Sequence, residues 1–380
     1  MAAANAQTLP KITASASLER AKRTDSSRLV LLLPAVLLVL AFSIFPLIVS
    51  VYLSLSRINV TTNPIDVQFI GLGNYIKQLF GSEQRHFLGR FGEVGPFGYL
   101  ILGVALVFLL YMLYQYIRSP RFRPVGVVFR LITLSLLMFF TWQFVVAFSG
   151  NGLPGTLTVT LIFVFGGVAL QYLLGLGLAI LLTQKLAGRR FFRVAFLLPM
   201  MVTPVGVGFL FRMLVDTVQG PVKPLWVALG LEKFSWATDP NIVRTVIILS
   251  DTWQWTPFMF VILLAALEGV SREVMEAALV DGTTRWQMFR NIILPEILPV
   301  STTLILIRMI EAFKLVDLPN SLLGGGPGTA SESITLSAYK AFRAPELHTS
   351  SALAYLLLFV VTFFSLVFFT HIRRRLLERI

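Results

Sequence analysis

Eight runs of predominantly apolar residues, each about the 20 residues that a helix needs to cross a bilayer, dominate this sequence. They fall at 29–55, 97–117, 128–148, 157–182, 194–214, 246–267, 297–316 and 352–370. Lipid offers no hydrogen-bond partner to an exposed backbone, so runs of this kind must close their own hydrogen bonds as helices. The expected fold class is an all-α membrane protein, a polytopic helical bundle of about eight spans. Composition agrees, because only 13% of residues are charged, against about 25% in a soluble domain. The first run is too long for the apolar region of a signal peptide, and no small-residue cleavage site follows it, so it reads as an uncleaved anchor.

The net charge of +13 could suggest nucleic acid, but the basic residues sit beside the apolar runs rather than along a polar face. They therefore read as topology anchors, with no nucleic-acid partner expected. An even number of spans puts both termini on one side. That side carries the N-terminal tail, Arg118 and Arg130, Arg189 and Arg190, Arg272 and Arg285, and Arg373 to Arg375, about twice the Lys and Arg of the other side. Both termini are expected in the cytoplasm. Cysteine is absent and the three histidines are scattered, so neither a disulfide framework nor a metal site is expected. Residues 1–28 form a small, polar tail without expected order.

The loop 271–295 carries the most chemistry. Ser271 can cap a short helix, Glu273 places a negative charge in its first turn, and Val274, Ala277 and Ala278 share a face. Gly282 after Asp281 suits a left-handed stop. A second amphipathic piece with Trp286, Phe289, Ile292 and Ile293 follows, and Pro295 and Pro299 mark the start of the next span. Small residues let a partner's backbone approach closely, with Glu276 and Asp281 as charges at the rim. The alternative is an amphipathic loop lying on the membrane surface. The pattern alone leaves both open.

The set Glu276-Ala277-Ala278, Asp281-Gly282, Phe289, Ile292 and Leu294-Pro295 resembles the coupling-loop signature of binding-protein-dependent ABC importer permeases, with Thr283 where that family often has alanine. The run Leu322-Leu323-Gly324-Gly325-Gly326-Pro327-Gly328, with Glu332, Tyr339 and Phe342 after it, is similar to the loop before the last helix in sugar-type permeases of the maltose/glycerol-phosphate-like group. Phe196-Leu197-Leu198-Pro199 and Trp253, Trp255, Thr256 and Pro257 are similar to that group as well. The resemblance covers 29–80 and 157–375 and implies a six-helix type I importer core.

That resemblance divides the chain into a cytoplasmic tail (1–28), a first transmembrane helix (29–55), a periplasmic segment (56–96), an extra transmembrane hairpin (97–149) and a permease core (155–375). The hairpin has no counterpart in the resemblance. The resemblance also implies a place in the bacterial cytoplasmic (inner) membrane, in contact with lipid. Its implied partners are a cytoplasmic ATPase dimer, a second homologous permease in a heterodimer, and a periplasmic or lipid-anchored sugar-binding protein. No stretch matches GxxxxGK[ST], so ATP and Mg are expected on the ATPase and no cofactor on this chain.

Ionisable residues inside a span are costly and mark cavities or partners. Asp251, Arg308 and Glu311 are such residues, and the spacing of Arg308, Glu311 and Lys314 suggests one ion-paired stripe. Asp251, Trp253, Gln254, Trp255, Arg308 and Glu311 are the candidates for a polar, aromatic substrate path. A structural network is the competing role for the charges. A stand-alone secondary transporter is the runner-up function, although the inverted repeat it favours is not evident. A membrane enzyme would need a catalytic constellation that the sequence lacks.

Overall fold

The computed structural model describes residues 32–59, 66–118, 124–148, 152–184, 187–231 and 235–377. The expected N-terminal tail lies outside the described residues, as do Arg121, Arg123 and Lys185 among the turn charges. The chain divides into two units, Met1–Leu53 and Ser54–Ile380. The first holds α1 (Leu32–Ser54, its last residue in the second unit), an apolar helix with a π-helical turn at Leu40–Ile44.

The second unit opens with a ribbon rather than a helix. β1 (Ser56–Asn59) pairs antiparallel with β2 (Asp66–Phe69), Ser56 opposite Phe69. The next helix, α2 (Gly73–Leu79), is tied to this ribbon because Asn74 Nδ2 donates to the carbonyls of Ser54 and Ser56, each at 2.8 Å. After α3 (Gln84–Phe87), β3 (Gly89–Arg90) leads to a hairpin of α4 (Pro96–Ile117) and α5 (Pro124–Ala147), and β4 (Leu153–Pro154) then pairs with β3. These two small ribbons are the departure from an all-α chain.

The hairpin is anchored through one helix. On α5, Gln143 donates to the Leu88 carbonyl, and Phe140 packs on Phe363 and Phe364 with ring centroids 5.5 and 4.9 Å apart. The apolar windows of α4 and α5 are 11% and 12% buried, so both helices present most of their residues outward.

The core forms around α6 (Thr156–Thr183). Beyond it come α7 (Arg189–Ala195), α8 (Leu198–Met201), α9 (Pro204–Val215) and α10 (Lys223–Ala228). The continuous span expected at 194–214 does not form. Arg189–Met201 and Pro204–Val215 meet at 98°. The cause is local: the residue before a proline is pushed out of the helical region, and Val202 and Thr203 are extended ahead of Pro204. Thr203 then caps α9, its Oγ1 accepting from the Gly206 N–H.

Next is α11 (Pro240–Glu268), which starts with Pro240 in its first turn and Asp239 Oδ1 accepting from the N–H of Asn241 (2.7 Å) and Ile242 (3.3 Å). It lies against α6 at close range. A Cβ on Gly175 would fall 2.6 Å from Met259 Cβ and 3.0 Å from the Phe260 nitrogen, so glycine is what permits the approach.

The loop then gives α12 (Arg272–Val280) and α13 (Arg285–Met288), a π-helical turn at Phe289–Ile293, and α14 (Leu294–Phe313). The second amphipathic piece is therefore not a separate helix. It is the first turns of one helical rod, Arg285–Phe313. A capping box starts the rod: Thr284 Oγ1 accepts from the Gln287 N–H at 3.3 Å, and the Thr284 N–H donates to Gln287 Oε1 at 2.8 Å. Pro295 stands in the first turn of α14, and Pro299 lies inside the helix.

The last elements are α15 (Asp317–Leu323), α16 (Ile334–Arg343) and α17 (Leu347–Leu377). Among the described residues, seven helices are long and apolar enough to cross a membrane, or eight with the bent pair taken as one span.

Candidate functional site

Three helices meet at a buried polar triangle. Arg308 on α14 sends Nη2 to Asp251 Oδ1 (2.7 Å) and Oδ2 (2.6 Å) on α11, while its Nε donates to Gln171 Oε1 on α6 at 2.8 Å. Gln171 Nε2 closes the triangle by donating to Asp251 Oδ2 at 2.7 Å. Arg308 and Asp251 are each 2% exposed. The guanidinium also lies 4.7 Å from the centre of the Trp255 ring, a cation–π contact on its remaining face. A charge in an apolar interior persists only when it is paired and hydrogen-bonded, and every partner here supplies one of those bonds.

This placement corrects two expectations. Arg308 does not belong to a stripe with Glu311 and Lys314, because it turns inward to Asp251. Glu311 and Lys314 pair with each other at 2.7 Å on the exposed side. Nor do the expected path residues form one lining. An apolar cavity of about 850 Å³ lies between α6, the bent pair and α11, lined by Leu174, Phe196, Val202, Phe211 and Trp253 among others. Trp253 alone of the six candidates borders it, edge-on to Phe211 with centroids 5.8 Å apart. Gln254 is buried and donates to the Val202 carbonyl at 2.9 Å, bracing the bend. Gln171, which completes the triangle, is the residue that sequence reasoning missed. Its signal was an amide in the middle of an apolar run.

The 271–295 loop presents two faces. Ala278 is buried and Met275 packs beside it on the core, whereas Val274, Glu276 and Ala277 are exposed. The shared face expected for Val274, Ala277 and Ala278 is thus split, because only Ala278 points inward. Ser271 stands at the N-cap position without a side-chain capping bond. Gly282 has φ +73°, as a left-handed stop requires, and the Thr283 N–H and hydroxyl both donate to the Ala278 carbonyl. Val280 is 88% exposed, and Leu279 and Trp286 are exposed beside it. Asp281 is exposed, and Phe289 and Pro295 are half-buried. Phe289 rests against Trp286 with centroids 5.8 Å apart.

At the opposite end of α14, the glycine run forms a turn in which Gly324, Gly325 and Gly328 all have positive φ. Beneath it Glu332 is 2% exposed, paired with Lys340 Nζ at 2.6 Å and 3.3 Å from His86 Nε2. Burial alone would raise the Glu332 carboxyl, but the His86 and Lys340 contacts outweigh it and hold it below the usual carboxylate range. This cluster fastens the glycine run to α3 and α16. Tyr339 and Phe342 on α16 remain exposed.

Residues 171–378 match the family model described as binding-protein-dependent transport system inner membrane component. The chain is 32% identical over 210 residues to the trehalose/maltose transport system permease protein MalF of Thermococcus litoralis, a match covering 55% of this chain and 71% of that protein. It is 27% identical over 311 residues to the lactose transport system permease protein LacF of Rhizobium radiobacter, covering 77% of this chain and 99% of that one. Its fold is similar to a chain in the crystal structure of a bacterial alginate ABC transporter in complex with an alginate pentasaccharide-bound periplasmic protein. There the TM-score is 0.59 at 19% identity, over 94% of this chain and 97% of that chain. A part of a multi-component system is not a stand-alone transporter, so that runner-up is set aside. The loop 271–295, the buried triangle and the outer glycine turn all lie within the matched residues, and the chain belongs to the binding-protein-dependent transport system inner membrane component family.

Proposed function

We propose that this chain is one membrane subunit of an ATP-driven sugar importer, and that its 271–295 loop docks on a cytoplasmic ATPase dimer. The observation that carries the docking is the exposed surface of that loop. Val274, Leu279, Val280 and Trp286 are apolar and exposed beside Glu276 and Asp281. A helix that lies on a membrane surface pairs its apolar face with Lys and Arg to meet anionic lipid. Here Glu273, Glu276 and Asp281 balance Arg272, Arg285 and Arg290, so the loop lacks the basic excess that meets anionic lipid, and its acids cluster on α12 and its C-cap beside the exposed apolar residues, as suits a protein socket. Glu276, Ala277, Ala278, Asp281, Gly282, Phe289 and Pro295 are the coupling residues in this proposal. ATP and Mg are held by the ATPase, and this chain holds neither.

The sugar class is supported by the transport proteins named above, which handle trehalose or maltose and lactose. The remaining partners in the proposal are a second, homologous permease and a periplasmic or lipid-anchored sugar-binding protein. The loop side, with both termini, faces the cytoplasm, in keeping with the basic excess on that side.

Co-purification from membranes tests the docking. The chain should carry an ATPase with it, and Glu276→Lys should abolish the association by reversing a rim charge. Gly282→Pro should do the same, because proline fixes φ near −65° where the loop needs +73°. Wild-type association and transport in both variants would refute the docking site. Screening the cognate external binding protein against mono- and disaccharides tests the sugar class, and binding of none would refute it.

A further inference from the structure

The two helices that flank the docking loop are the same two that the buried ion pair joins. α11 ends at Glu268 and α14 grows from the rod that begins at Arg285, so residues 269–284 hang between them. Well inside the bundle, Asp251 on α11 and Arg308 on α14 are locked together, with Gln171 bringing in α6 and Trp255 covering the guanidinium. None of Gln171, Asp251 and Arg308 lines the 850 Å³ cavity beside the bend, so the charges are turned away from that cavity.

We infer that the Gln171–Asp251–Arg308 triangle is a positioning clamp: it makes α6, α11 and α14 move as one body, so that force on the docking loop reaches the membrane half of the protein without loss. The inference rests on the proposed docking of the loop. The chemistry suits the task. Arg308 uses Nη2 on the carboxylate and Nε on the amide, so sliding α14 along α11 breaks two sets of bonds at once. Arg308 and Asp251 are each 2% exposed, so bonds broken by sliding leave buried polar groups without partners, which makes intermediate positions unfavourable. Packed interfaces of this kind occupy discrete arrangements and do not creep. The glycine approach at Gly175 keeps α6 within reach, as the amide of Gln171 must span from one helix to the other two.

The chain has no cysteine, so an introduced pair is the only one to label within this subunit. Thr245→Cys on α11 and Lys314→Cys at the end of α14 are exposed and lie beyond the triangle from the docking loop. Spin-label distances are measured on the complex in lipid nanodiscs, without nucleotide and after trapping with ATP and vanadate. The expected result is a single narrow distance, unchanged by nucleotide. Asp251→Leu combined with Arg308→Met removes both charges without leaving either unpaired. It should broaden the distribution and cut solute-stimulated ATP hydrolysis per assembled complex at least tenfold, with maltose and the cognate binding protein as probe.

Arg308→Lys keeps the charge but loses the bond to Gln171, and should fall between the two. It serves in the same measurement if the double variant does not accumulate. A wild-type distance that shifts with nucleotide overturns the clamp, as does a variant distribution as narrow as wild type. If the wild-type chain assembles with no ATPase, the docking proposal fails. The nucleotide-free comparison then still decides whether the triangle holds the helices together.

Discussion

The molecule holds two carboxylates at the same 2% exposure, Asp251 in the membrane core and Glu332 under the outer glycine turn, and their surroundings differ. Asp251 is answered by Arg308, itself 2% exposed, and by an amide on a third helix. Glu332 is answered by Lys340, whose side chain is 43% exposed, and by His86 at 31%. Burial of the acid is equal, so the difference lies in the partner. In the core both ends of the pair depend on each other, on Gln171 and, for the guanidinium, on the Trp255 ring. At the outer turn the bases are open to solvent, which can replace them. A sealed pair resists rearrangement and suits transmission of force, whereas a pair with one wet end can open at modest cost.

The contrast is sharpest when one partner is removed. Arg308→Met should strand the Asp251 charge in the bundle and cost about 3–5 kcal/mol, read as loss of detergent-stable protein and a large fall in Tm. A variant that melts within a few degrees of wild type would mean that water reaches the triangle, and the two sites would then be alike. Gly175→Ala comes next. The added methyl meets Met259 and the Phe260 backbone, so α6 and α11 must part, at about 1–3 kcal/mol. Thermal melting checks this, and an unchanged Tm would show that the helices have slack the triangle does not need.

Most of the architecture was legible because apolar length is a strong signal: seven of the eight expected spans stand as continuous helices. The eighth failed at Pro204, where a run of the right length and polarity conceals a 98° corner. The rod from Arg285 was misjudged for the opposite reason. Prolines at 295 and 299 suggested a boundary, yet Pro295 lies inside the rod, just after the π-helical turn Phe289–Ile293, and the true start was written in Thr284-x-x-Gln287, a capping box. For the site, Asp251 and Arg308 were visible as intramembrane charges, but their pairing was not. Spacing along one helix placed Arg308 with Glu311 and Lys314, while contact across helices depends on rotation about each axis. Gln171 went unmarked, since an uncharged amide hardly lowers the hydropathy of its run.

Lys340→Ala should have a smaller effect than either core change, within about 1 kcal/mol, because water replaces an ammonium that is already half in solvent. Acid should do to the outer cluster what it does not need a mutation to do. The folded Glu332 carboxyl titrates below its ordinary value of 4.5, so its contribution to stability is complete above that value and fades as pH falls through the lower, folded one. Protection factors across residues 325–343, that is, exchange corrected for its intrinsic pH dependence, should therefore fall on acidification below about 4.5 and hold steady above it. Glu332→Gln should remove that pH step. Protection that is flat with pH in the wild type would mean the outer carboxylate is as sealed as the one in the core, and exposure of the partner base would no longer distinguish the two sites.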